Sequence, residues 1–151
     1  MASTTTGPLS AADQRLLNQA SMLFAVGLVI HTADHLWRGA TSVTTQLFWV
    51  GNVATVVAVV ALVLVHRGQP TAPLVAVAAG FPLAIGYMSA HLAPEWSVLS
   101  DPYPGSDVSL FSWVAALTEI AGALALGTAG AVVLRRRGGL ASAVPPTPRP
   151  A

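Results

Sequence analysis

The chain has 151 residues, of which 54% are hydrophobic and only 9% charged, against roughly 25% charged in a soluble domain. A surface that dry needs lipid as its solvent, and a formal net charge of +1 excludes the basic face that a nucleic-acid partner requires. The absence of cysteine excludes disulfides, thiolate metal sites and thioether haem attachment.

Residues 1–10 are small and polar, the composition of a disordered N-terminal segment. Ser10-Ala-Ala-Asp13 reads as a capping box with Asp in place of Glu, which starts a helix there. No basic stretch precedes the first apolar run and no small-residue cleavage site follows it before His31, so a cleaved leader is not expected. Four apolar segments follow, at about 17–37, 46–65, 73–93 and 109–134, each near the roughly 20 residues that cross a bilayer. Pro82 stands inside the third and is a kink position. The connections are short except for Pro94–Asp107, where Asp101-Pro-Tyr103-Pro-Gly105 reads as consecutive turns, with Tyr103 placed to cap one mouth of the bundle. After Arg135-Arg136-Arg137, residues 138–151 form a Pro-rich tail of the disordered kind. The predicted architecture is an all-α integral membrane four-helix bundle in one domain, residues 11–137, with the lipid bilayer as its first partner.

Every basic residue is arginine, the mark of a GC-rich coding bias, and points to a bacterial source. With four spans, Arg15, Arg67, Arg135, Arg136, Arg137 and Arg149 share one side of the membrane, and only Arg38 lies on the other, with Glu95, Asp101 and Asp107. The positive-inside rule then places both termini in the cytoplasm of an inner (plasma) membrane. Trp37, Trp49, Trp96 and Trp113 all fall at the opposite, outward interface, where indole rings prefer to sit.

His31-Thr-Ala-Asp34-His35 breaks the first apolar run with three ionisable groups on one helix face. Ionisable groups at membrane depth are costly and mark function by default. Counting back from the tryptophans at about 1.5 Å per residue, His31 and Glu119 each lie roughly 9 Å below the interface and His91 roughly 7–8 Å. Asp34 and Asn52 lie roughly 4–5 Å deep on the same scale. The stripes through them are small-residue faces: Ala20, Phe24 and Gly27 below His31; Gly80, Ala84, Tyr87 and Met88 beside His91; Ser112, Ala115, Ala116, Gly122 and Ala123 around Glu119. Such faces let helices approach closely.

The ligand types point to a divalent metal. An i, i+4 histidine pair chelates one ion from one face, and His91 with Glu119 completes four N/O ligands. Asp34 is a further ligand or the partner that orients a histidine. Three other readings compete. The layer can serve only to join helices, at on the order of 1 kcal/mol per hydrogen bond, in a structural protein, a complex subunit or a homo-oligomer. It can line a proton or solute pathway, although Asn18 and Gln19 alone continue it toward the arginine side. Haem needs two histidines at like depth on different helices, such as His31 or His35 with His91, but no further haem signal flanks them. A hydrolase built on His91 with Ser97, Ser100 and Asp101 lacks a nucleophile elbow, so no catalytic residue is assigned. His66, beside Arg67, reads as solvated.

The arginine asymmetry makes a direct prediction. A reporter fused after Arg137 reads cytoplasmic and one inserted near Gly105 reads external. A C-terminal fusion active only outside the cell reverses the frame.

Overall fold

The computed structural model describes residues 7–142 and contains four α-helices with no strand among the described residues. Helix α1 spans Ala11–Arg38, α2 Thr45–His66, α3 Ala72–His91 and α4 Leu110–Ser142. All four are long and apolar enough to cross a membrane. The protein is a multi-pass, all-helical membrane protein built as a four-helix bundle.

The helix starts follow local chemistry. Ser10 caps α1 by accepting from the Asp13 backbone N–H at 3.1 Å, and its own hydroxyl donates to the Asp13 carboxylate at 2.7 Å. Thr44 caps α2 by accepting from the Leu47 N–H at 3.1 Å. Pro73 sits in the first turn of α3, where a missing N–H costs nothing because the helix has no acceptor for it. Gly39, with φ 87°, ends α1 and donates its N–H to the His35 carbonyl, a left-handed stop that a side chain would strain. Helix α3 passes through Pro82 without a break in its assignment.

Helix α4 extends past the expected span end at 134, and residues 138–142, expected to be irregular, continue the helix. Arginine is a strong helix former, and a glycine pair costs only about 1 kcal/mol per residue. Tertiary anchors also hold this end: Arg136 pairs with Asp13 at 3.1 Å, and Arg137 donates to the carbonyls of Pro70 at 2.8 Å and Gly7 at 2.5 Å. The rest of the two segments expected to be disordered, residues 1–6 and 143–151, lies outside the described residues.

Neighbouring helices run antiparallel. Arg136 on α4 meets Asp13 on α1, and Gln14 on α1 donates to the Val65 carbonyl at the end of α2. Helices α1 and α3 both pack along α4, whereas α2 leans lightly on α3 and α1. The packing difference is written in the glycines. A Cβ on Gly27 would stand 2.5 Å from the Glu119 Cα, and one on Gly122 2.5 Å from the Phe24 Cα. A Cβ on Gly80 would stand 2.5 Å from the Gly127 nitrogen, and one on Gly130 2.5 Å from the Pro73 carbonyl oxygen. These are backbone-to-backbone approaches that only glycine permits. The small-residue stripe of α4 is therefore turned inward, with Ala115, Ala116 and Ala123 fully buried. Helix α2 instead exposes Val53, Val56, Val59, Val60 and Val63, the apolar side chains that lipid solvates.

The reciprocal crossing of Gly27 and Gly122 is the testable part. Gly122→Ala is expected to destabilise the bundle by about 1–3 kcal/mol, the usual overpacking penalty. Gly51→Ala, where a Cβ meets nothing within 4 Å, is expected to be neutral or slightly stabilising because alanine is the better helix former. Thermal unfolding in detergent, followed by helical circular dichroism, separates the two; equal losses would mean that the crossing is not tight.

Candidate metal centre

The α1–α4 crossing sets up the polar layer. Gly27 lies one turn before His31 on the same face of α1, so the Glu119 backbone pressed against Gly27 carries its side chain up to the histidine. His31 Nδ1 and Glu119 Oε2 are 3.2 Å apart. Both are buried, with Glu119 only 1% exposed. Their contact is poorly directed for a hydrogen bond, so both atoms, and the buried hydroxyl of Tyr87, lack a hydrogen-bond partner. Tyr87 is close enough to Glu119 to feel its charge.

His35 follows one turn later and meets His31 with an Nε2–Nε2 separation of 2.8 Å. His91 arrives from the last turn of α3, its ring centroid 4.8 Å from His31 and 5.8 Å from His35. One ring nitrogen from each of the three lies within 4.8 Å of the others. Their outward nitrogens are engaged elsewhere. His35 Nδ1 is 3.2 Å from an Arg38 terminal nitrogen, and His91 Nδ1 is 3.2 Å from the Asp101 backbone oxygen. Guanidinium only donates, so His35 Nδ1 accepts in this arrangement. The His35 proton then sits on Nε2 and is donated to His31 Nε2, which leaves the His31 proton on Nδ1, facing Glu119. Arg38, His35 and His31 form one directional hydrogen-bonded chain that ends facing Glu119.

A second network lies nearer the membrane surface and centres on Arg38. Its Nε is 3.2 Å from Asp34 Oδ2, and a terminal nitrogen is 2.7 Å from Asp101 Oδ2 and donates to the Tyr103 hydroxyl at 3.3 Å. Ser112 on α4 donates to the other Asp34 oxygen at 2.8 Å. Breaking such a pair by removing one partner strands a buried charge.

The loop after α3 supplies half of this network. The last carbonyls of a helix have no partner within it. Here the Ala90 carbonyl accepts from the Asp101 N–H and the His91 carbonyl from the Tyr103 N–H, both at 2.9 Å. Proline at 102 and 104 biases the residues before them toward extended backbone, and residues two apart in an extended segment point the same way. Asp101 and Tyr103 consequently both reach into the bundle. Tyr103 is 1% exposed. Its ring packs against His91 at 4.7 Å and edge-on to Trp113 at 5.5 Å. Burial keeps its phenol protonated well above the ordinary tyrosine range, against the opposing pull of Arg38.

The structure thus brings His31, His35, His91 and Glu119 into one group, with Glu119 behind His31. Asp34 stands beside that group, held by Arg38 and Ser112. Asn52 on α2 is exposed and does not join the cluster; it donates to its own helix at the Phe48 carbonyl, 2.8 Å away, and lines the cavity beside the histidines. His66 is exposed. Ser97 and Ser100 accept backbone N–H groups of their own turn and offer no nucleophile. Sequence reasoning passed over Arg38 as a site residue, although its i, i+4 spacing from Asp34 is a recognisable pairing signal. It read Asp101 as a turn residue and as a member of a rejected hydrolase group, not as the partner of Arg38; no periodicity announces that the loop folds back onto α3.

Comparison of the chain with protein-family models, with curated proteins and with solved structures gives no match. The reading of the site therefore rests on its own geometry.

Arg38→Met is expected to destabilise the protein by about 3–5 kcal/mol, because it leaves the buried Asp34, and the half-buried Asp101 beside it, without a counter-charge. Adding Asp34→Leu should restore part of the loss. A double variant less stable than the single one, by detergent thermal unfolding, would show that the Asp34–Arg38 pair is not the interaction at stake.

Proposed function

We propose that the protein binds a divalent transition metal within the membrane, on His31, His35 and His91. The convergence of three imidazoles from two helices, His31 and His91 buried and His35 half-buried, carries this reading. Ligand nitrogens 2.0–2.1 Å from a tetrahedral zinc stand about 3.3 Å apart, and the separations in the cluster, from 2.8 to within 4.8 Å, bracket that value. An all-imidazole set suits zinc, copper, nickel or iron rather than magnesium or calcium. Glu119 behind His31 and the Asp101 carbonyl behind His91 are the outer partners that orient metal-bound histidines. Charge supports the same reading. Asp34 and Asp101 share one guanidinium, Arg38, while Glu119 stands beside His31 with no cation of its own, and a divalent cation at the histidines offsets negative charge there. The three rings share one wall rather than facing each other across a gap, which favours a bare ion over haem. Three protein ligands leave a fourth position open, the arrangement of sites that act on a further molecule. Orientation with the site toward the outside of a bacterial inner membrane belongs to the same proposal and rests on the arginine asymmetry.

Zinc binds only imidazole nitrogens that carry no proton, so affinity is expected to fall as pH is lowered and the histidines become protonated. His31→Ala is expected to abolish binding, Glu119→Gln to weaken it by about 10–100-fold as an outer partner does, and His66→Ala to have no effect. Elemental analysis and calorimetric zinc titration of the purified protein make the check. Metal well below one equivalent, unchanged in His31→Ala, would sink the proposal.

A further inference from the structure

A cavity of about 650 Å³ opens on the free side of the histidine cluster, between α1, α2 and α3. We infer that it is a binding chamber for an uncharged, lipid-soluble ring compound with hydroxyl or carbonyl oxygens on its head, of the quinone and quinol class. It shares a wall with the metal site but does not depend on the metal.

Four observations carry this inference. The first is the polar wall. His31, Glu119 and Tyr87 line the cavity, the first two more than nine-tenths buried; His31 Nδ1 and Glu119 Oε2 stand 3.2 Å apart without a well-directed hydrogen bond, and Tyr87 leans on Glu119 beside them. Unpaired buried polar atoms are costly, and a ligand oxygen in the cavity satisfies them. Carboxyl, imidazole and phenol groups exchange roles as donor and acceptor, so this wall suits either a carbonyl or a hydroxyl head.

The second is the absence of a cation. Among the described residues, the titratable ones lining the cavity are His31, His35, His91, Tyr87 and Glu119. Arg38 is turned away onto Asp34 and Asp101. With the metal removed, an anionic head, such as a phosphate or a fatty-acid carboxylate, finds no arginine or lysine among the described lining residues, whereas a neutral head needs none.

The third is the space itself. Gly27, Gly80, Gly122 and Gly130 are explained by helix crossings, but Gly51 and Gly86 are not: both line the cavity, and a Cβ on either meets nothing within 4 Å. Glycine in a helix costs about 1 kcal/mol relative to alanine, and here it clears volume rather than admitting a neighbour. Pro82 lies on the same wall as Ala78, whose carbonyl it deprives of the usual helical N–H donor. That adds an acceptor to a chamber whose wall is mostly alkyl and aromatic, Phe48 and Trp96 among them, with Asn52, Thr55 and Ser89 as further uncharged polar groups.

The fourth is access. Trp96 and Leu99 of the loop after α3 line the cavity toward the tryptophan-bearing end of the bundle. Pro82 and Gly86, in the middle of α3, are exposed. The opening is therefore on the flank of the bundle, at a depth where the surrounding solvent is hydrocarbon, and the occupant must arrive through lipid.

The test uses chelator-treated full-length protein in detergent micelles and a decyl-substituted benzoquinone as probe. Trp96 lines the chamber, so bound quinone quenches tryptophan fluorescence. Saturable quenching at one probe per protein is expected. Filling the chamber should weaken it roughly tenfold or more, in Gly86→Leu on one helix and Gly51→Leu on another, with His66→Ala matching wild type. Circular dichroism and zinc titration report whether each leucine variant is folded. Quenching that only tracks quinone dissolved in the micelle, or equal quenching in folded leucine variants, overturns the inference. So does displacement of the probe by oleate at equal concentration, which would make the chamber an acyl-chain groove. The two readings fail separately: quinone binding without zinc binding removes the metal, and zinc binding without saturable quenching removes the chamber.

Discussion

The close approach of α1 and α4 is the constraint on which the site depends. At Gly27 and Gly122 the two backbones touch without intervening side chains. In lipid there is no hydrophobic drive to press apolar helices together, so association rests on van der Waals contact and interhelical hydrogen bonds. Glycine maximises the first and, by bringing the axes close, makes the second possible. The short side chains of His31 and Glu119, and of Asp34 and Ser112, meet across the interface because their backbones are held so near. A wider crossing would separate each of these pairs.

The second constraint is the neutralisation of charge at the tryptophan-bearing end. Arg38 compensates Asp34 on its own helix and Asp101 on the loop, and the aromatic face of Tyr103 covers its guanidinium at 5.4 Å. The loop is positioned by the need of α3 to satisfy its terminal carbonyls, which Asp101 and Tyr103 do through their backbone N–H groups. One backbone requirement thereby delivers both a carboxylate and an aromatic plug. The plug separates the histidine cluster from water, so a ligand set on His31, His35 and His91 would work in a low-dielectric setting, where every charge interaction is stronger.

Helix α2 plays a different part. It contributes no member of the histidine cluster and packs loosely on its neighbours. Its looseness leaves the chamber beside the histidines, and its outer face is a valine surface suited to lipid. The bundle is thus divided into a tight three-helix wall that orients polar groups and a fourth helix that encloses space in front of them.

Much of this was legible from residue order alone. Four apolar runs of membrane length, tryptophans at a common depth, the Ser10 cap and the i, i+4 histidine pair are all local or periodic features, decided by hydropathy and by the helical repeat. The small-residue stripes on α1, α3 and α4 marked the inward faces correctly, because in lipid only small side chains permit close packing. Tertiary structure decided which polar groups meet. That Glu119 stands behind His31 and that Asp34 turns to Arg38 and Ser112 depends on helix rotation and crossing depth, to which a repeat of 3.6 residues is blind. That Asp101 and Tyr103 return to the bundle depends on a loop satisfying helix-end carbonyls, an interaction without sequence periodicity. The length of α4 past Arg137 was likewise settled by its anchors on Pro70 and Gly7, which override the local signal of a glycine pair.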